Sequence, residues 1–265
     1  KLPEQFTTPP DELLKKLDLN REVNHISIIS KDETLHGRIF VWDEDCRIVI
    51  SDIDGTITRS DVLGQVATRF FGMQYTHPGV AKLFDNIANK GYKFVYVTVR
   101  SIGQSNFTQD YLRRVKDGES VLPLGPVIMP PVAGSSIVRW RMPTEFKIPI
   151  LYSIQDLWPR NPIVAAWGNR ETDALAYIAV GIDPAKCWIV NSSGEVVAHD
   201  GGLDHKQKHR RFASYSYLAD NWRHLQLTER DVKEKEHVVG DIGNTKDMEK
   251  LSRSFGPAST YLDEY

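Results

Sequence analysis

Short apolar runs and amphipathic segments alternate along the middle of this chain, and the alternation predicts a parallel α/β sheet. Buried parallel strands are near-continuous apolar runs, whereas surface helices repeat their apolar residues every 3.6 positions. The strands predicted in this way are 47–51, 94–98, 127–129, 163–167 and 188–190. The helices predicted between them are 80–90, 109–115, 145–158 and 173–180. We therefore expect a doubly wound α/β domain over residues 47–200.

Residues 1–46 follow a different pattern, which predicts a short helix and then strands. Threonines, prolines and acids at 7–12 form a helix start, and four leucines follow within the next seven residues. This helix could dock on a membrane or a partner, but packing on its own domain is the favoured interpretation. Residues 23–29 and 37–42 are typical of strands, with a polar turn at 31–35.

Beyond residue 200 the composition changes again. A basic run at 205–211 precedes an aromatic-rich stretch at 215–225 that predicts an amphipathic helix. The basic run could touch an anionic membrane, act as a nuclear-localisation patch or form a solvated loop, and the loop is favoured. Residues 201–265 are expected to form this helix and a partly ordered tail on the surface.

Charge and cysteine content narrow the functional classes. The chain has 33 basic and 35 acidic residues, a formal charge of −2, so no nucleic-acid partner is expected. Cys46 and Cys187 lie far apart and match no metal-binding spacing, which favours a reduced, intracellular protein. No apolar stretch has the length of a membrane helix, and no secretory signal is recognisable, so we expect a cytoplasmic protein without a transmembrane segment.

Two aspartates follow the strand predicted at 47–51, and they are the leading candidates for chemistry. Asp52 and Asp54 emerge at the carboxyl end of a buried strand, where open α/β sheets bind their ligands. Gly55 permits a sharp turn that brings the backbone close to a ligand. One aspartate at such a site can act as a nucleophile and the other as a general acid and base. A plain Asp-Gly turn is the alternative, but a turn does not require Asp52.

The sequence Ile-Ser-Asp-Ile-Asp-Gly-Thr, continued to Val-Leu-Gly-Gln over residues 50–65, resembles the signature of lipin-type phosphatidate phosphatases. These enzymes belong to the haloacid-dehalogenase (HAD) superfamily. The resemblance covers residues 13–225 and is densest at 47–65, 91–103, 122–130, 143–150 and 166–181. It implies a HAD-like fold and Mg²⁺-dependent hydrolysis of phosphatidic acid to diacylglycerol and phosphate. The reaction would proceed through an aspartyl-phosphate.

The resemblance also assigns catalytic roles. Asp52 would be the nucleophile and Asp54 the general acid that later activates water. Thr98, at the end of the second strand, would hydrogen-bond a phosphate oxygen, and Lys147 would neutralise the transferring phosphoryl group. Without the resemblance, Thr98 would be interpreted as a cap and Lys147 as a solvated side chain.

The expected metal is Mg²⁺, which prefers oxygen ligands. The stretch Gly-Asn-Arg-Glu-Thr-Asp at 168–173 agrees with the lipin-type variant of the fourth motif. The Asp52 side chain, the Asp54 backbone carbonyl and the Asn169 amide oxygen would be ligands. Asp173 would act through a water or orient Asn169 or Lys147, and a helix cap is its alternative role.

Substrate binding is assigned to four residues near these ligands, namely Gly55, Thr56, Arg100 and Arg170. The two arginines, together with Arg139 and Arg141, would favour an anionic headgroup. Taken alone, each arginine is better interpreted as an ordinary surface residue.

The family resemblance places the N-terminal strands in a small immunoglobulin-like portion. Its other strands would come from a separate N-terminal conserved segment, which we do not recognise in this chain. The expected partner is phosphatidic acid in a membrane, with peripheral association at the endoplasmic reticulum or nuclear membrane. Residues 70–75 are an aromatic docking candidate, or part of the core.

Two other functions fit the same sequence. The chain could be a module that binds phosphatidic acid without cleaving it, although the presence of Asp54 favours an enzyme. It could also be a HAD phosphatase that acts on a soluble phosphate ester.

Overall fold

The computed structural model describes residues 11–29, 31, 34–59, 75–130, 143–199 and 210–227. The chain divides between Glu44 and Asp45 into two compact units. The predictions for residues 70–74, 205–209, 228–265, Arg139 and Arg141 lie outside the described residues. The three-part division at residues 46 and 200 stays a prediction.

The N-terminal unit contains a short helix and a hairpin. Helix α1 spans Asp11–Lys16, and strands β1 (Glu22–Ile29) and β2 (Thr34–Val41) pair antiparallel from Glu22↔Val41 to Ile29↔Thr34. Helix α1 buries none of its residues. The prediction of a turn over 31–35 is wrong for its last two residues, because Thr34 and Leu35 already belong to β2 and pair with β1. The immunoglobulin-like portion stays a prediction.

The second unit is built on a seven-stranded sheet whose centre is parallel. Its strands are β3 (Arg47–Ser51), β4 (Tyr92–Val97), β7 (Val127–Ile128), β8 (Ile163–Gly168), β9 (Cys187–Val190), β10 (Val196–Ala198) and β11 (Arg211–Phe212). Two further strands, β5 (Lys116–Asp117) and β6 (Ser120–Val121), form a separate hairpin. The predicted α/β class with a largely parallel sheet is confirmed.

Helices follow most of these strands. They are α2 (Val80–Ala88), α3 (Ser105–Arg114), α4 (Pro143–Gln155), α5 (Glu171–Ala179) and α6 (Tyr215–Asp220), with 3₁₀ turns at Ile102–Gln104, Pro184–Lys186 and Trp222–Leu225. The single helix predicted over 215–225 is wrong, since Asn221 leaves helical geometry and separates α6 from the last 3₁₀ turn. In the described part of the chain, no helix is both long and apolar enough to cross a membrane.

The strand order creates a switch point beside β3. The order is β11-β10-β9-β8-β3-β4-β7, so the chain runs outward from β3 through β4 to β7 and then returns to β8 on the other side of β3. Ligands of open α/β sheets bind in the crevice outside the carboxyl ends of such strands. The segments after β3 and β8, which contain Asp52 and Asp173, therefore meet at one edge.

Aromatic side chains form much of the core beneath that edge. The Phe84 ring of α2 lies 4.8 Å from Phe94, 5.5 Å from Trp167 and 6.0 Å from Tyr215 of α6. Residue Phe84 is fully buried, as are Phe94 and Trp167. Burying a large apolar side chain contributes about 1.5–3 kcal/mol, so this cluster is a main source of rigidity under the site. It also attaches the C-terminal helix to the central sheet.

Candidate active site

The turn after β3 is compact and buried. The backbone N–H of Asp52 donates to the Trp167 carbonyl at 2.9 Å, which ties the end of β3 to β8. Gly55 has a φ of 79°, a left-handed conformation that favours glycine. Its N–H donates to Thr58 Oγ1 at 2.9 Å. The turn therefore holds Asp52 (5% exposed) and Asp54 (9% exposed) in defined positions.

Lys147 lies between two carboxylates. Its Nζ donates to Asp52 Oδ1 at 2.9 Å and to Asp173 Oδ1 at 2.7 Å, and the residue is 2% exposed. Burial opposes the positive charge, but Asp52 and Asp173 outweigh it and hold the pKa of Lys147 well above its usual value. The ammonium group is therefore a fixed positive charge directly beside the predicted nucleophile.

Asp173 has several roles at the start of α5. Its Oδ2 accepts from the backbone N–H groups of Asn169 and Arg170, both at 3.0 Å, while its Oδ1 accepts from Lys147. A Cβ on Gly168 would approach the Asp173 Cβ to 2.4 Å, so a side chain at 168 would displace this carboxylate. Asp173 thus caps the helix and orients both Asn169 and Lys147, which were separate possibilities in the sequence.

Asp54 is held by the segment after β4. Arg100 Nε donates to Asp54 Oδ2 at 2.9 Å and Arg100 Nη2 to Asp54 Oδ1 at 2.6 Å. Thr98 Oγ1 donates to Asp54 Oδ2 at 3.2 Å. Both Thr98 and Arg100 are buried. The structure therefore places Thr98 and Arg100, both predicted site residues, in hydrogen-bonding contact with Asp54.

The charge balance around Asp52 is unfavourable to an ionised carboxylate. Burial raises the pKa of Asp52 to about 7, and the nearby negative charges of Asp173 and Asp54 act in the same direction. The positive charge of Lys147 opposes this rise but does not cancel it. A buried carboxylate in such a place gains from a further positive charge, such as a metal ion.

The donors proposed for Mg²⁺ fit that chemistry. Within the described ranges, no group of three or more His, Cys, Asp or Glu side chains is arranged to hold a metal ion. The proposed set instead combines the Asp52 carboxylate, the Asp54 carbonyl and the Asn169 amide, all oxygen donors of the kind that Mg²⁺ prefers. Asp173 accepts from Lys147 and from two backbone N–H groups, which agrees with the orienting role predicted for it.

The remaining predicted residues lie around this centre. Thr56 Oγ1 is 3.4 Å from Asp52 Oδ2, and Thr56 is fully buried. Asn169 is half-buried, and Arg170 is exposed at the start of α5. The segments that follow the carboxyl ends of β3 and β8 thus contain most of the predicted site residues.

Two contributors were missed by sequence reasoning. Tyr215 of α6 donates its hydroxyl to the Thr56 carbonyl at 3.1 Å and is 1% exposed. The His77 ring lies 5.9 Å from the Tyr215 ring, and burial lowers the pKa of His77. A separation of 159 residues between Thr56 and Tyr215 leaves no local signal that could reveal this contact.

Comparisons with known proteins agree on one family. A family model described as LNS2 (Lipin/Ned1/Smp2) matches residues 5–224. Nuclear elongation and deformation protein 1 of Schizosaccharomyces pombe is 41% identical over 190 residues, which cover 69% of this chain and 28% of that protein.

Two proteins named for their activity are similarly related. Phosphatidic acid phosphohydrolase 1 of Saccharomyces cerevisiae is 41% identical over 195 residues, or 68% of this chain and 22% of that protein. Phosphatidate phosphatase LPIN2 of Homo sapiens is 41% identical over 167 residues, or 61% of this chain and 18% of that protein. This chain therefore spans less than a third of the length of each of these relatives.

Proposed function

This chain belongs to the LNS2 (Lipin/Ned1/Smp2) family, and on that premise we propose that it is a Mg²⁺-dependent phosphatidate phosphatase with a HAD-like catalytic fold. It hydrolyses phosphatidic acid to diacylglycerol and phosphate. The proposal depends on one arrangement of buried side chains. Lys147 lies between Asp52 and Asp173, and Asp54, the second aspartate of the turn, pairs with Arg100. This arrangement supplies a nucleophile, a neutralising charge and a proton-transfer group in one crevice.

The reaction has two displacements at phosphorus. Asp52 attacks the phosphoryl group, a bond forms between its carboxylate oxygen and phosphorus, and the bond from phosphorus to the glycerol oxygen breaks. Asp54 donates its proton to the departing oxygen of diacylglycerol. Water then attacks phosphorus, Asp54 takes a proton from that water, and phosphate leaves as the Asp52 carboxylate is regenerated.

Other residues of the chain stabilise the charge that moves through these steps. Lys147 neutralises Asp52 and the transferring phosphoryl group, because phosphoryl transfer depends mainly on positioning and charge stabilisation. Gly55 and Thr56 lie next to the nucleophile and contact the phosphoryl oxygens. Thr98 contributes a hydroxyl at the end of β4, and Arg170 meets the anionic headgroup from the exposed rim.

Asp52, the Asp54 carbonyl and Asn169 would hold Mg²⁺, and Asp173 keeps the Asn169 backbone in place. A bound Mg²⁺ would supply positive charge beside the phosphoryl oxygens. The raised pKa of Asp52 supports this assignment, because a second cation would favour the ionised nucleophile.

The substrate sets where the protein works. Phosphatidic acid resides in membranes, so the enzyme acts as a peripheral protein on the endoplasmic reticulum or nuclear membrane, facing the cytoplasm. We further propose that β1 and β2 pair with the N-terminal conserved segment that lipin-type proteins carry. Among the described residues β1 and β2 pair only with each other, and the free edges of such a hairpin favour pairing with a further segment.

The first prediction tests the two aspartates. Asp52→Asn and Asp54→Asn are expected to lower phosphate release from phosphatidic acid in mixed micelles by roughly 10²-fold or more, because each removes a group that forms or breaks a bond. The wild-type protein should require Mg²⁺ and should prefer micellar phosphatidic acid to a soluble phosphomonoester.

The same assay separates the alternatives. Turnover by either variant at the wild-type rate would contradict the mechanism. Wild-type protein that binds phosphatidic-acid vesicles but releases no phosphate would indicate a lipid-binding module. Preference for the soluble ester would indicate a different phosphatase.

A further inference from the structure

Arg100 is buried, unlike an arginine that binds a lipid headgroup at the protein surface. It is 5% exposed, whereas Arg170 at the rim of the same crevice is exposed. Its Nε and Nη2 form a fork on the Asp54 carboxylate, with three N-to-O distances between 2.6 and 3.1 Å. A guanidinium fork matches a carboxylate in geometry and fixes its orientation, which a single point charge does not.

The rest of the Arg100 side chain is anchored inside the protein. Its Nη1 donates to Thr108 Oγ1 of α3 at 3.2 Å, and its backbone N–H donates to Thr98 Oγ1 at 3.2 Å. The guanidinium lies 6.0 Å from the Tyr111 ring on the same helix. Both Thr98 and Thr108 are fully buried. The arginine is therefore locked at both ends, between α3 and Asp54.

We propose that Arg100 is a positioning residue for Asp54, through which α3 sets the orientation of the carboxyl group that exchanges protons with the leaving oxygen and with water. Arg100 itself transfers no proton and keeps its charge throughout. The assignment rests on the proposed function, since it gives Arg100 a role in the two proton transfers. It also gives the two arginines of the site different roles, because Arg170 remains the one that faces the headgroup.

Steady-state kinetics on phosphatidic acid in mixed micelles test this role. Arg100→Lys retains a positive charge but loses the fork, so we expect kcat to fall by up to about 100-fold while KM changes by less than about 2-fold, because a misplaced group slows the chemical step without weakening binding. Arg100→Ala should regain part of kcat when guanidinium chloride is added at low, non-denaturing concentration. Sodium chloride at the same ionic strength should not restore it.

Matched variants complete the experiment. Arg113→Lys changes an exposed arginine that also pairs with an aspartate of its own helix, and it should leave both constants unchanged. Arg170→Lys should act mainly on KM. If Arg100→Ala does not fold, Arg100→Lys alone decides the question.

Failure of the positioning role and failure of the proposed function give different experimental results. A raised KM with unchanged kcat in Arg100→Lys would overturn the positioning role and make Arg100 a headgroup ligand, as would an absence of guanidinium rescue in a folded Arg100→Ala protein. Wild-type protein that releases no phosphate from either phosphatidic acid or a soluble aryl phosphate would instead overturn the proposed function. If only the aryl phosphate is hydrolysed, the same kcat and KM comparison is made on that substrate.

Discussion

At the scale of single residues, the site contains two buried carboxylate–cation groupings that share one crevice. Asp52 and Asp173 share Lys147, while Asp54 pairs with Arg100. Removing one partner of such a buried pair leaves the other charge buried and uncompensated, which is strongly destabilising. The two aspartates, only two positions apart, therefore have different electrostatic surroundings.

The raised pKa of Asp52 leads to a prediction about stability in metal-free protein. A carboxyl group whose folded-state pKa lies above its unfolded value of 3.8 favours the fold at low pH, and this contribution is lost as the pH rises through about 7. Asp52→Asn removes the buried negative charge, and its amide oxygen can still accept from Lys147. The unfolding free energy of the variant relative to wild type should therefore rise between pH 5 and pH 8 by on the order of 1–3 kcal/mol.

Thermal melts with a chelator at the two pH values measure this difference. Asp110→Asn is the control, because it makes the same change in a half-exposed surface pair with Arg113 and should show little pH dependence. A relative stability that does not rise between pH 5 and pH 8 would show that Lys147 outweighs burial.

At the scale of secondary-structure elements, one helix is capped by a distant hairpin. Helix α2 begins after Gly79, which has no side chain to cap it. Asp117 of β5 supplies the cap, accepting from the backbone N–H groups of Gly79 at 3.0 Å, Ala81 at 2.8 Å and Lys82 at 3.2 Å. The carboxylate also lies at the positive end of the helix dipole. The small β5–β6 hairpin thus stabilises the helix that carries Phe84 into the core.

Replacing this cap should weaken the fold without touching the chemistry. Asp117→Ala is expected to lower the unfolding free energy by about 1–2 kcal/mol, and Asp117→Asn by less, because the amide oxygen can still accept. Denaturant unfolding measures the effect, with Asp110→Ala as the surface control. Equal stability of Asp117→Ala and wild type would mean that water replaces the cap at no cost.

At the scale of the whole molecule, the C-terminal part of the described chain supports the turn after β3, which contains the predicted catalytic residues. Helix α6 packs on α2, and the Tyr215 hydroxyl donates to the Thr56 carbonyl in the turn that follows Asp52. A Cβ on Gly79 would come within 2.5 Å of the Ser216 backbone, so the approach of the two segments requires a glycine there. The strand β11, which precedes α6, also joins the edge of the central sheet.

Tyr215→Phe tests this support with the smallest possible change. The ring stays in the core, but the Thr56 carbonyl loses one hydrogen bond worth about 1 kcal/mol. We expect kcat for phosphatidic acid to fall several-fold with KM unchanged and only a small drop in melting temperature. Tyr217→Phe removes a hydroxyl from an exposed tyrosine of the same helix and should have no effect. An unchanged kcat in Tyr215→Phe would mean that packing alone orders the turn.

The sequence alone established the family, the α/β class and the order of the elements around Asp52 and Asp54. Family membership is confirmed by the comparisons, and the site assignments remain predictions. Apolar runs such as 47–51 and 163–167 were recognisable because a strand buried on both faces must be apolar along its whole length. Strands β10 and β11 were missed, since two or three residues carry too little periodicity to detect.

Only the tertiary structure decided how the charged groups are paired. Nothing in the spacing of Asp54, Arg100 and Thr108 shows that α3 reaches the second aspartate through an arginine. Likewise, the contact of Tyr215 with Thr56 depends on where α6 packs. Local sequence encodes the elements because propensity and periodicity act over a few residues. Pairing across the sheet edge is settled by the strand order, which brings segments far apart in the chain to one place.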